Sequence, residues 1–358
     1  WWGLRWIWKF PDRRHGHQVE HGTSAPVNAS MLTLPAFQYH SPSSIDEAIA
    51  LLCAHRGQVK VVAGGTDLLP NMKHRLFTPA HVVGLKGIEG LDQVKEERGM
   101  VRLGAMCTIA QLARDPIVQR KLPSLAAAAS QIAGPQLREM GTLGGNLCLD
   151  TRCVYYNQTY FWRKALGFCL KKDGTVCHVV QTGRKCVAAA SNDTAPVLIT
   201  VDATIRVAGP RGVREIPIPD FYLPDGIVNT VLAPEELVIE VLVPDPVGVI
   251  AGYQKVRVRA SIDYPALTIA VAAKLDSEGR IDWARAVISA LGARPHSIRL
   301  EAFRGRPLTE EVIADIGLIA QKQCHPLTNI NVDAQWRREM IPVFVRRAFA
   351  QARAVPPS

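Results

Sequence analysis

Two short glycine pairs set the strongest limit on how this chain can fold. The first stands in Val61-Val62-Ala63-Gly64-Gly65-Thr66-Asp67-Leu68, the second in Thr142-Leu143-Gly144-Gly145-Asn146. In the first, a β-branched run, Val59 to Ala63, delivers the backbone to two residues without Cβ, and a helix is expected from Asp67 to Lys73. A strand–turn–helix unit of this kind lets backbone N–H groups approach a ligand closely. It also aims the positive end of the helix at the same point, which suits a pyrophosphate. The second pair reads as a glycine turn offering the same chemistry, with the Thr142 hydroxyl and the Asn146 amide able to bond phosphate or ribityl oxygens. Neither is the G-x-G-x-x-G fingerprint, so a Rossmann site is not indicated. Each pair alone is more often only a turn, but two in adjacent α/β units can cradle one extended ligand between them.

The pattern around these motifs predicts a small α/β unit over residues 34–90. Ser44 and Glu47 form a capping box for a helix that Gly57 ends, and a second strand runs from His81 to Leu85. A second unit carries a strand at Val101–Ala105, helices at Thr108–Arg114 and Leu122–Ala133, and strands at Val197–Val201 and Thr204–Val207. From 150 to 187 periodicity is lost, which in a compact domain usually marks function. Prolines 234, 244 and 246 suggest a boundary near 245. Beyond it, strand-like runs at Leu267–Leu275 and Ala284–Leu291 precede helices at Glu310–Gln323 and Gln335–Ala352, an α+β layer arrangement.

Composition adds exclusions. With 358 residues, 47% hydrophobic and 21% charged, the chain is neither disordered nor fibrous, and no apolar run is long enough for a membrane span. The formal charge is +10, yet the basic residues are scattered, so solvated faces are favoured over nucleic-acid binding. Residues 1–30 hold four of the seven tryptophans and lack both the apolar core and the cleavage site of a signal peptide. Met31 is the first methionine, so natural translation is expected to start there, with 1–30 a non-native or disordered extension.

Five of the eight cysteines fall between 148 and 186. In a long chain without an export signal such clustering points to the cytoplasm and to a metal rather than to disulfides. Cys153, Cys169, Cys177 and Cys186 are separated by 15, 7 and 8 residues. Four thiolates can hold a cubane iron–sulfur cluster, but the spacing lacks both the ferredoxin pattern and the paired knuckles of zinc sites. Cluster, zinc and unrelated buried thiols therefore all stay open on spacing alone.

The motifs V-V-A-G-G-T-D-L and G-T-L-G-G-N resemble the two FAD-binding loops of molybdenum hydroxylase flavoprotein subunits, the xanthine and carbon monoxide dehydrogenase family. The resemblance covers residues 32–352 and includes Ile288-Ser289-Ala290-Leu291-Gly292-Ala293-Arg294-Pro295 near the C-terminus. It implies an α+β fold: a two-part FAD-binding domain of the PCMH type over 31–245, with subdomains about 34–90 and 91–245, and a C-terminal α+β domain of the carbon monoxide dehydrogenase flavoprotein type over 246–358. It also implies flavin contacts at both loops, at Asp193 near the ribityl chain, at Val238 on the ring and at Lys255 near the isoalloxazine.

Thr142 and Asp193 lie 51 positions apart, much further than in most of that family, because the stretch 150–187 is inserted. The segments Leu147-Cys148-Leu149-Asp150-Thr151-Arg152-Cys153 and Gly174-Thr175-Val176-Cys177-His178 resemble the insertion in β subunits of 4-hydroxybenzoyl-CoA reductases. That resemblance implies a 4Fe–4S cluster on Cys153, Cys169, Cys177 and Cys186. Cys53, Cys107, Cys148 and Cys324 are then small buried residues, and His178 is a neighbour rather than a ligand. It further implies an electron-transfer subunit without catalytic residues of its own. Electrons would run from ferredoxin through cluster and FAD toward 2Fe–2S and molybdenum centres on a small and a large partner subunit, in a dimer of heterotrimers. The reaction would be reductive dehydroxylation to benzoyl-CoA. The alternatives are the FAD subunit of an oxidative molybdenum hydroxylase and, remotely, a zinc-stapled nucleic-acid scaffold.

Overall fold

The computed structural model describes residues 33–354. The expectations for Met31 and for residues 1–30 lie outside them. Three sheets organise the chain. The first is a small parallel sheet of β1 (Gln38–His40), β2 (Val59–Val62) and β3 (His81–Gly84), in the order β1-β3-β2. The second is an antiparallel sheet of β4 (Val94–Glu97), β5 (Met100–Gly104), β6 (Thr204–Gly209), β7 (Gly212–Pro217) and β8 (Leu237–Pro244), in the order β4-β5-β8-β6-β7. The third is an antiparallel sheet of β9 (Val249–Val256), β10 (Leu267–Leu275), β11 (Ile281–Ser289) and β12 (His296–Ile298), in the order β12-β11-β10-β9. This is the α+β class expected.

Strong local signals place most elements. The helix Ile45–Ala54 starts at Ser44, whose hydroxyl accepts from the Glu47 N–H. Glu47 reaches back one residue further than a capping box requires, to the N–H of Ser43 at 2.8 Å. The helix Glu310–Gln323 is capped by Thr309 and carries two glutamates in its first turn, which favours the positive helix end. It packs with the helix Ala334–Ala354 against the third sheet, burying Ile313, Ile316, Ile341, Val345 and Phe349 against Ile269, Val271 and Ile288.

Two expectations fail. Val197–Val201 is not a strand: residues Thr194–Thr200 form a helix whose seven residues are all buried. A helix enclosed on every side has no polar face, so its sequence looks like a buried strand. The C-terminal layer also has four strands rather than two. Its edge strand β9 interrupts its apolar residues with Gly252 and the adjacent polar pair Gln254 and Lys255, which left no long apolar run to announce it.

Candidate functional site: a glycine-lined cavity beside a cysteine loop

A cavity of about 550 Å³ lies where the two glycine motifs meet. That is within the usual range for cofactor sites, roughly 300–1,000 Å³. All eight residues from Val61 to Leu68 line it, as do Thr142, Gly144, Gly145, Asn146, Asp193 and Val238. Lys255 does not. It stands behind Asp193 and is buried.

The first glycine loop supplies donors. The chain leaves β2 at Val62 and bends, and Gly65 adopts φ +71°, in the left-handed region. A Cβ on Gly64 would overlap the carbonyl oxygen of Met140 and come within 2.9 Å of Gly141 Cα, so this loop rests directly on the backbone that leads into the second motif. The backbone N–H groups of Gly64, Gly65, Thr66 and Asp67 find no acceptor among the described residues. Four successive donors facing a cavity form a concavity for an anion. The Asp67 carboxylate accepts from Asn71 Nδ2 at 3.1 Å and pairs with Arg152, which also lies over the Tyr264 ring at 4.4 Å.

The second glycine motif is built differently. It is not a turn but the first part of a short helix, Leu143–Leu147, with Thr142 as its cap. The Thr142 hydroxyl accepts from the Gly145 N–H at 3.1 Å, Leu143 N–H donates to Cys107 O, and Gly144 N–H donates to Ala105 O at 2.8 Å. Asn146 Oδ1 accepts from both the N–H and the hydroxyl of Thr194, at 3.1 and 2.6 Å. The Thr142 and Asn146 side-chain oxygens thus accept hydrogen bonds within the fold, which leaves the Thr142 O–H and the Asn146 NH₂ as the donors that could meet a ligand oxygen. What this loop turns to the cavity is the open face of Gly145 and the Asn146 NH₂ group, which donates no hydrogen bond among the described residues. Gly144 is needed for packing, since a Cβ there would meet Ala105 Cβ at 2.9 Å.

Asp193 and Lys255, expected as two separate contacts, form one buried pair. Lys255 Nζ donates to Asp193 Oδ2 at 3.0 Å and to Gln131 O at 3.3 Å, while the Tyr253 hydroxyl donates to Asp193 Oδ1 at 2.6 Å. Burial pushes the Asp193 carboxyl above its ordinary value, opposed by the charge of Lys255 and the hydrogen bond from Tyr253. Two opposite charges taken out of water at one place must pair, and here they come from the start of the helix Thr194–Thr200 and from β9, 62 residues apart.

The cysteine loop begins at the cavity wall. Cys148, Leu149 and Asp150 line the cavity, and the loop then leads to Cys153. Cys169, Cys177 and Cys186 are buried and Cys153 is half-buried. The four thiols lie within electrostatic reach of one another. Burial pushes Cys153 up to about 11, and the neighbouring Cys186, Cys169 and Cys177 add to the rise. Cys186 is likewise raised by burial, against the Ala188 N–H and the Lys171 charge that lower it. Cys153 and Cys186 therefore hold their protons until a cation arrives to take the thiolates. Lys171 is held in place by Asp150 Oδ1 at 2.6 Å and Gly226 O at 2.7 Å, and the Val180 N–H donates to Cys177 Sγ at 3.4 Å. The His178 ring nitrogen meets the Phe168 carbonyl, outside the thiol group. Of the other cysteines, Cys107 and Cys324 are buried as expected, but Cys53 and Cys148 are exposed. Cys53 lies on the solvent side of its helix, and Cys148 opens onto the cavity. One group went unnoticed in the sequence: His40, His55 and His81 bring ring nitrogens within 4.8 Å of one another. Their wide spacing forms no motif.

Comparison with known proteins agrees with this geometry. Residues 35–246 match the FAD binding domain in molybdopterin dehydrogenase, and residues 251–352 match the CO dehydrogenase flavoprotein C-terminal domain. The carbon monoxide dehydrogenase medium chain of Hydrogenophaga pseudoflava is 31% identical over 323 residues, covering 89% of this chain and 97% of that one. The aldehyde oxidoreductase FAD-binding subunit of Escherichia coli is 34% identical over 258 residues, covering 69% of this chain and 80% of the relative. A solved structure of carbon monoxide dehydrogenase from H. pseudoflava superposes with a TM-score of 0.74 at 29% identity, over 90% of this chain and 99% of that one. Open N–H donors, a cavity of the right size and an uncovered glycine face all suit a flavin dinucleotide. The chain therefore belongs to the FAD-binding medium subunits of the molybdenum hydroxylase family, of the carbon monoxide and xanthine dehydrogenase type.

Proposed function

We propose that this chain is the electron-relay subunit of an oxidative molybdenum hydroxylase, carrying FAD in the glycine-lined cavity and a 4Fe–4S cluster on Cys153, Cys169, Cys177 and Cys186. Relatives named for the oxidation of carbon monoxide, aldehyde, nicotine and xanthine support the oxidative direction. The observation that carries the relay is the position of the cysteine loop. Asp150 lines the cavity, and Cys153 follows three residues later, a span of at most about 10 Å. FAD exchanges electrons singly or in pairs, and a 4Fe–4S cluster passes one at a time, so the two together join pair-wise chemistry to a one-electron partner.

In this reading the N–H groups of Gly64 to Asp67 hold the pyrophosphate, Val238 packs on the ring, and Asn146 and the Asp193–Lys255 pair support the middle of the cofactor. Arg152, adjacent to Cys153 and paired with Asp67, ties the cysteine loop to the first glycine loop. Substrate chemistry would belong to a large molybdenum subunit and onward electron passage to a small 2Fe–2S subunit. The 4-hydroxybenzoyl-CoA reductase direction, with ferredoxin as donor, is the second reading, and the four-cysteine insertion favours it.

Iron and acid-labile sulfide per FAD on protein purified without oxygen test the relay. About four of each per flavin is the expected result. Zinc, or flavin without iron, overturns the cluster. Assay of the whole complex with aldehydes and N-heterocycles against an artificial acceptor, and with 4-hydroxybenzoyl-CoA and reduced ferredoxin, separates the two directions.

A further inference from the structure

The three histidines of the small parallel sheet lie apart from both the cavity and the cysteine loop. His40 ends β1, His81 opens β3, and His55 follows the helix Ile45–Ala54 as its cap. None of them lines the cavity. All three are half-buried. His40 Nε2 and His81 Nδ1 are 3.1 Å apart, the His55 and His81 rings stack with centroids 3.6 Å apart, and the donor nitrogens of all three fall within 4.8 Å.

We propose that His40, His55 and His81 form a site for one divalent cation of the zinc class, with solvent in the remaining position. Two imidazole nitrogens bound tetrahedrally at 2.0–2.1 Å lie about 3.3 Å apart, close to the His40–His81 separation. A hydrogen bond between neutral imidazoles accounts for the His40–His81 contact and ring stacking for the His55–His81 contact, so an ion would bind by turning the His55 ring out of its stack and drawing the three nitrogens, now within 4.8 Å of one another, together. Imidazole donors without carboxylate or thiolate select zinc, copper or nickel over magnesium or calcium. The ion would tie β1, β3 and the end of the helix together beside a core cluster built around only nine buried residues, including Ile49, Leu52, Val83 and Leu85. Any ion bound to the folded state alone stabilises it by mass action.

The test uses the full-length, FAD-loaded protein equilibrated with Zn²⁺ in a chelator buffer at micromolar free ion, with bound metal counted by mass spectrometry. The double variant His40→Gln, His81→Gln is expected to hold one zinc fewer per chain, with FAD and iron content unchanged. Copper(II) added to the wild type is expected to give an electron paramagnetic resonance spectrum with nitrogen couplings from the imidazoles. These couplings separate the site from the cysteines, which would add sulfur ligation instead. Equal zinc in wild type and double variant overturns the proposal. If the double variant fails to retain FAD, the wild-type copper spectrum decides, and one without nitrogen couplings overturns the proposal as well.

Discussion

The two glycine loops look alike in sequence and do opposite work. Around Gly64 and Gly65 the backbone donors stay open toward the cavity. Around Gly144 and Gly145 the donors of Leu143, Gly144 and Gly145 are all consumed, by Cys107, Ala105 and Thr142. The first loop offers hydrogen bonds, while the second offers shape and ties the cavity floor to the helix Thr194–Thr200 through Asn146. A glycine pair therefore announces a close approach without saying whether ligand or protein will occupy it. Gly64 and Gly144 are approached by protein, and Gly145 remains open to the cavity.

Four substitutions break or sharpen this contrast. The largest effect is expected behind the second loop. Lys255→Met leaves Asp193 buried without its cation, a loss of about 3–5 kcal/mol in denaturant unfolding at neutral pH. Burial already raises the Asp193 carboxyl, and loss of the ammonium raises it further. The folded variant then keeps a proton that the unfolded chain releases, so the deficit grows as pH rises above about 4 and fades below it. A deficit independent of pH would show that Lys255 acts through packing alone.

Gly64→Ala comes next. Its Cβ has only the backbone of Met140 and Gly141 to displace, so a loss of about 3 kcal/mol is expected together with FAD loss, read by unfolding and by flavin absorbance. Gly65→Ala meets the flexible side chain of Leu69 at 3.2 Å but must hold φ +71°, which costs roughly 1–2 kcal/mol. Gly145→Ala has the smallest expected effect on folding, within about 0.5 kcal/mol, because helix propensity compensates the contact with Thr142 Oγ1 at 3.0 Å. Its methyl group projects into the open face, so FAD affinity should fall by no more than about tenfold in a fluorescence titration. Unchanged affinity would make the second loop scaffold alone.

Much of the fold is legible because local signals agree with the tertiary result. Thr309 before the glutamates marks the helix Glu310–Gln323, and the unbroken apolar run Leu267–Leu275 marks the buried strand β10. Fourteen of the fifteen residues expected to surround the flavin line the cavity, since each glycine loop is a contiguous stretch whose neighbours follow along the chain. Lys255 is the exception, because its partner Asp193 is reached only across the packed interior. The helix Thr194–Thr200 was hidden by its own enclosure, and Cys148 was assigned to the core though it faces the cavity.

By itself the sequence determined the α+β class, the two glycine loops and the clustering of cysteines in one inserted segment, since these follow from residue type and short-range order. Tertiary structure alone decided which N–H groups remain open, which acid pairs with which lysine and that three distant histidines meet. The last two are pairings between groups far apart in the chain. Pairings of that kind are selected by the cost of burying a polar group without a partner, and that cost exists only once the chain has folded around it.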